Sequence, residues 1–173
     1  MKATSLQRVV ITAVFAAIIC ATTAFLFHIP VGTAGGYIHL GDAFIYLAGA
    51  FLPTPYAMAA AGIGSALADV LTGAPHWALF TVIIKTAMAA CFTSAKSTVL
   101  CRRNVIAAFG AGVICIVGYY VAEVILFGNW IAPLLTIPTG GLVQSGGGLV
   151  LFLIVGAALD RADFKAKIRR NGL

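Results

Sequence analysis

Apolar residues in this chain come in long runs, and polar residues gather in short breaks between them. Cutting at the polar and Pro/Gly breaks leaves six runs, at 9–27, 39–52, 56–72, 77–95, 105–127 and 138–159, and each predicts a helix. The second and third are short and are parted by Leu52-Pro53-Thr54-Pro55. Proline lacks the helical N–H and restricts the residue before it, so this pair predicts a tight helical hairpin.

Composition turns these helices into membrane spans. Charged residues make up 9% of the chain and apolar ones 61%, with a mean hydropathy of +1.04. A soluble globule is about 25% charged, so this chain has too little polar surface to coat one. Each crossing of a ~30 Å hydrocarbon layer takes roughly 20 apolar residues. The 173 residues therefore allow about six spans in a single transmembrane domain, with no soluble module. The expected fold class is an all-α integral membrane protein.

Charge placement sets the orientation, because Lys and Arg in short loops stay on the cytoplasmic side. Lys2 and Arg8 precede the first run; Lys96, Arg102 and Arg103 lie between the fourth and fifth; Arg161, Lys165, Lys167, Arg169 and Arg170 follow the sixth. The connections 28–38, 73–76 and 128–137 hold no Lys or Arg. Six transmembrane helices with both termini cytoplasmic satisfy this pattern, and only Lys85 falls outside it. The net charge of +6 is thus an orientation signal, not a nucleic-acid footprint, and the tail RADFKAKIRR is suited to anionic lipid headgroups. A cleaved signal peptide over 1–24 is the competing reading of the basic start and apolar core. It would leave an odd number of spans and put one terminus on the wrong side.

The four cysteines read as small apolar residues: three fall inside helices, and no C-x-x-C pair suggests a metal. No metal or other cofactor is expected.

Ionisable residues inside the spans say more, since each costs at least ~2.5–3.5 kcal/mol at mid-membrane unless paired or hydrated. They are Asp42, Asp69, Lys85 and Glu123. From the helical rise, the three carboxylates sit roughly 5–6 Å below the outer ends of their helices, Gln144 about 9 Å and Lys85 roughly 12 Å. All line the outer half. One reading is structural: Lys85 pairs with Glu123 or an aspartate, and the carboxylates cap helix ends. The other is an outward-opening polar pocket for a small hydrophilic molecule.

Aromatic residues cluster at the same level: Tyr37, His39, His76, Trp77, Phe80, Tyr119, Tyr120 and Trp130. An interfacial belt accounts for most of them. Trp130, in FGNWIAPLL beside Asn129, is placed to fold over a heterocycle and stack on it. The glycine-rich segment PVGTAGGY, 30–37, suits a flexible lid. In the first run Ala13, Ala17 and Ala21 recur every four residues and form one stripe. Small residues at that spacing let another helix come close, whether from this chain or from a partner subunit.

These features together resemble the substrate-capture (S) component of an energy-coupling factor (ECF) vitamin transporter. The matching stretches are the alanine stripe, IHLGDAFIYLAGAFLP, AGIGSALADVLTG and TVIIKTAMAA, in order along the chain. One departure is Thr86 and Ala89, where such families often carry glycine. The resemblance implies a non-catalytic subunit in a prokaryotic plasma membrane. It would capture a vitamin outside, dock through Ala13, Ala17 and Ala21 on a transmembrane coupling subunit, and rely on two partner ATPase subunits, since the chain has no Walker motif. It implies scaffold or gating roles for Asp42 and Asp69, and ligand binding by Lys85, Tyr119, Glu123, Trp130 and Gln144, with Tyr37 and His39 at the lid.

Aromatics with a carboxylate and an ammonium suit a small polar heterocycle. Pyridoxine or hydroxymethylpyrimidine is the first expectation, followed by thiamine, pantothenate and, with a larger pocket, riboflavin. A solo transporter without an ATPase module is the nearest rival, and a structural or signalling membrane protein a further one. An intramembrane enzyme is disfavoured: His28, His39 and His76 form no H-E-x-x-H pattern and Ser65 has no obvious base.

Overall fold

The computed structural model describes residues 5–26, 29–31 and 36–170. Lys2, His28 and the centre of the glycine-rich segment, 32–35, lie outside the described residues. Helices account for most of what is described: α1 Ser5–Ala24, α2 Gly41–Phe51, α3 Thr54–Leu71, α4 Ala78–Ala90, α5 Arg102–Phe127, α6 Ala132–Thr136, α7 Leu142–Arg161 and α8 Phe164–Arg170. Between α1 and α2 the chain makes a small antiparallel ribbon, β1 Ile29–Val31 on β2 Gly36–Ile38, in which Pro30 faces Tyr37. Helices α1, α5 and α7 are long and apolar enough to cross a membrane, and α2 is a shorter apolar helix.

Helix α2 is the centre of the bundle. Nine of its eleven residues are buried, and α1, α3, α4, α5 and α7 all touch it. Small residues make this possible: Gly49 has no room for a side chain, because an added Cβ would stand 2.6 Å from that of Phe92. Where α2 carries a large group it is locked by rings. Tyr46 stacks on Phe92 at 5.0 Å and receives the edge of Phe152 at 5.7 Å.

Helix α3 packs on α1 and α4 through an equally small-residue face of Ala57, Ala60, Ala61, Gly64 and Ala68. Lipid tails are as apolar as leucine, so helices in a membrane associate by close packing and not by exclusion of water. Many large apolar residues point outward. Val10 and Val14 on α1, Ile106, Phe109, Val113 and Val117 on α5, and Val150 and Ile154 on α7 are all exposed.

Two predicted helices end elsewhere than expected. The run at 77–95 stops being helical at Ala90 because side chains from distant helices take over the backbone that follows. Asn104 accepts the Thr93 N–H at 2.8 Å and donates to the Thr93 and Val99 carbonyls at 3.0 Å each. Asp160 accepts the Val99 and Leu100 N–H groups at 2.6 and 2.9 Å, and Lys165 donates to the Thr98 carbonyl at 3.3 Å. The 91–101 segment, the start of α5, the end of α7 and α8 are thereby tied together at one end of the bundle. The run at 138–159 likewise begins late, because Pro138 and the Gly140-Gly141 pair fall in a five-residue π turn, Ile137–Gly141, that joins α6 to α7. Helix α5 closes on Gly128, whose left-handed φ of 66° suits a residue without Cβ.

The α1–α3 contact gives a direct test of the small-residue packing. A Cβ on Gly64 would lie 2.5 Å from the Ala16 carbonyl oxygen, which is backbone and cannot swing away. Gly64→Ala is expected to cost about 1–3 kcal/mol, read as a lower unfolding midpoint in detergent. Gly110→Ala, with nothing within 4 Å, should be neutral or slightly stabilising.

Candidate functional site

The site grows from the first turn of α2. Asp42 is fully buried there and shares its carboxylate between two helices. Oδ1 accepts the Lys85 ammonium from α4 at 2.6 Å, and Oδ2 accepts the Gln144 amide from α7 at 3.0 Å. Cys115 of α5 completes the ring, its Sγ 3.6 Å from Lys85 Nζ and 3.7 Å from both Asp42 Oδ2 and Gln144 Nε2. Four helices therefore meet on one carboxylate. Gly148 lets α7 come this close, since an added Cβ would stand 3.1 Å from that of Asp42.

Sequence direction explains the pairing. Helical side chains lean towards the N-terminus of their helix. The starts of α2 and α4 lie at the same end of the bundle, because the α2–α3 hairpin separates them. The lysine stem thus spans the depth difference between the two positions, and a buried ammonium finds its counter-charge without moving the backbone.

Above the ion pair the site turns aromatic. Lys85 Nζ lies 5.2 Å from the centre of the Tyr119 ring, and the Tyr119 hydroxyl is 3.0 Å from Thr81 Oγ1. The buried Trp77 ring follows, 5.9 Å from Tyr119 and 6.0 Å from Phe127, with His76 beside it. Trp77 Nε1 is buried with no hydrogen-bond partner among the described residues. Asp69, near the end of α3, lies within electrostatic reach of the Tyr119 phenol. Glu123, one turn beyond Tyr119 on the same face of α5, is half-buried.

Of the residues singled out in the sequence, Lys85 and Gln144 converge on Asp42, and Tyr119 adjoins them. His39 caps α2: its Nδ1 accepts the Gly41 N–H at 3.0 Å, satisfying a backbone donor at the helix start. Tyr37 lies in β2 of the ribbon. Trp130 is exposed at 68%, and its carbonyl accepts the Tyr120 hydroxyl at 3.2 Å. Asn129 beside it has a local role, accepting the Ile131 and Ala132 N–H groups at 2.9 and 3.0 Å at the start of α6. Ala13, Ala17 and Ala21 are all exposed, while α1 turns Phe15, Ala16 and Ile19 towards the core.

Two members of the site went unread in the sequence. Cys115 counted only as a small apolar residue, and Thr81 was not weighed. Helical spacing held the signal for both: each stands four residues before a residue already singled out, Tyr119 and Lys85 respectively.

Residues 3–161 match the family described as ECF-type riboflavin transporter, S component. The chain is also 30% identical over 145 residues to a protein of Pyrococcus woesei known as an uncharacterized protein in the gap 3' region. That alignment covers 80% of this chain and 97% of the relative.

Removing one partner of a buried pair leaves the other charge stranded, whereas removing both need cost little. Lys85→Met is expected to destabilise the protein by about 3–5 kcal/mol, and adding Asp42→Asn, which still accepts from Gln144, should recover most of the loss. Unfolding midpoints of the single and double variants check this.

Proposed function

The chain belongs to the ECF-type riboflavin transporter S component family, and we propose that it captures an uncharged, flat heterocyclic vitamin, riboflavin first among them, at the ribbon end of the bundle. As an S component it is a membrane transport subunit and not an enzyme. In the proposed arrangement α1, α2, α3, α4, α5 and α7 make six crossings, both termini face the cytoplasm, and a coupling subunit with two ATPase subunits supplies the energy.

The observation that carries the ligand reading is the self-neutralised ion pair at the floor of the site. Asp42 and Lys85 neutralise each other at 2.6 Å, so neither offers a spare charge to a cationic thiamine or an anionic pantothenate. A neutral ring system needs aromatic surface and hydrogen bonds instead. Trp77, Tyr119 and Phe127 provide the first, and the unpartnered Trp77 N–H would suit a ring carbonyl. The family's description supports riboflavin, ahead of the smaller pyridoxine and hydroxymethylpyrimidine that the aromatics with a carboxylate and an ammonium favoured in the sequence. In this reading Tyr119, Glu123 and Trp130 contact the ligand and Tyr37 belongs to its cover. His39, Lys85 and Gln144 act one layer below, by holding the start of α2 in place.

Titrating riboflavin with the purified protein should quench the flavin fluorescence stoichiometrically, with tight binding that excess thiamine or pantothenate does not reverse. Tight binding of thiamine or pantothenate in place of riboflavin would sink the neutral-ligand reading.

The alanine stripe of α1 supports docking of the coupling subunit there, since Ala13, Ala17 and Ala21 are all left exposed by the described residues of this chain's own bundle. Ala13→Trp with Ala17→Trp is expected to abolish uptake in cells that carry the coupling module while leaving riboflavin binding to the isolated protein intact. Loss of binding as well would point to a structural role for the stripe.

A further inference from the structure

At the opposite end of the bundle from the aromatic cluster, an open groove of about 530 Å³ runs between the end of α4 and the start of α5. Lys96, Arg102 and Arg103 line it, and among the described residues no Asp or Glu does. Its floor is apolar, with Ile106 and Ala107 from α5, and the native cysteines Cys91 and Cys101 also face it. Asp160, the acidic residue tied to the neighbouring 91–101 segment, has both carboxylate oxygens engaged by backbone N–H groups.

We propose that this groove binds the headgroup of an anionic phospholipid, with its phosphate held by Lys96, Arg102 and Arg103 and its acyl chains lying along α5. Three observations select that occupant. The rim is cationic and all three basic side chains are exposed, so they can close on a phosphate with charge-assisted hydrogen bonds. Helix α5 begins without a side-chain cap, which leaves the amides of its first turn open to an anion. Below the rim the groove continues into the exposed apolar row Ile106, Phe109 and Val113. A free phosphate would leave that row unused, and a zwitterionic lipid would bring its own cation among the three.

The same end carries Arg161 at the close of α7 and Lys167 on α8, outside the groove lining. These give an internal control for a general surface attraction as against a built site.

Native mass spectrometry of the full chain in detergent, with dioleoylphosphatidylglycerol or dioleoylphosphatidylcholine added, tests the proposal. The anionic lipid is expected to bind at least about tenfold more tightly than the zwitterionic one. Lys96→Gln/Arg102→Gln/Arg103→Gln should erase that preference, and Arg161→Gln/Lys167→Gln should keep it. A second measurement needs no variant. Phosphatidylglycerol should slow maleimide labelling of Cys101, mapped by peptide mass, while phosphatidylcholine should not. Retention of the preference in the triple variant overturns the proposal. So does Cys101 protection by inorganic phosphate equal to that by phosphatidylglycerol, which would make the groove a site for the free ion.

Discussion

A carboxylate that enters a low-dielectric bundle must find its counter-charge there, and in this protein one carboxylate does so on behalf of four helices. Asp42 carries α2, Lys85 brings α4, Gln144 brings α7 and Cys115 brings α5. None of these contacts is long-lived on its own merits in water, where salt and solvent would compete. Removed from water they become conditions on the fold: the helices cannot slide or rotate past one another without stranding a charge. The small residues of α2 and α3 set how near the helices come, and the ion pair sets their register.

Much of this could be read in advance, for reasons that lie in particular residues. The spans follow from runs of apolar side chains, and Lys85 stood out because a lysine near mid-membrane needs an explanation. Its partner could not be named, since the sequence puts three carboxylates at similar depth and pairing depends on which helix lies beside α4. Asp42 wins although it is 43 residues away. The exposure of Ala13, Ala17 and Ala21 was equally open, because a stripe of small residues fits an internal contact as well as an external one. What the sequence hid most completely was the 91–101 segment. Residues 91–95 continue the apolar run and 96–101 reads as a loop, but neither reveals that Asn104, Asp160 and Lys165, arriving from α5, α7 and α8, satisfy the irregular backbone there.

The two ends of the molecule divide the chemistry. One end gathers rings and a self-neutralised charge pair beneath a small ribbon. The other gathers basic side chains around a backbone segment pinned by Asn104, Asp160 and Lys165. In the proposed roles, a neutral ligand at the first end and an anionic lipid at the second, this asymmetry is an advantage, because charge that helps the second task would spoil the first.

The shortness of α2 has a consequence for how the protein is made. Eleven residues reach about 16 Å, roughly half the hydrocarbon thickness, and they carry an aspartate. Such a segment is a poor candidate for release into lipid by itself as it leaves the ribosome. Its polar group is satisfied by Lys85, Cys115 and Gln144, which are synthesised later. The order of assembly therefore differs from the order of synthesis: α2 is among the first helices to be made and among the last that can settle, so biogenesis must shelter it until the C-terminal third of the chain arrives.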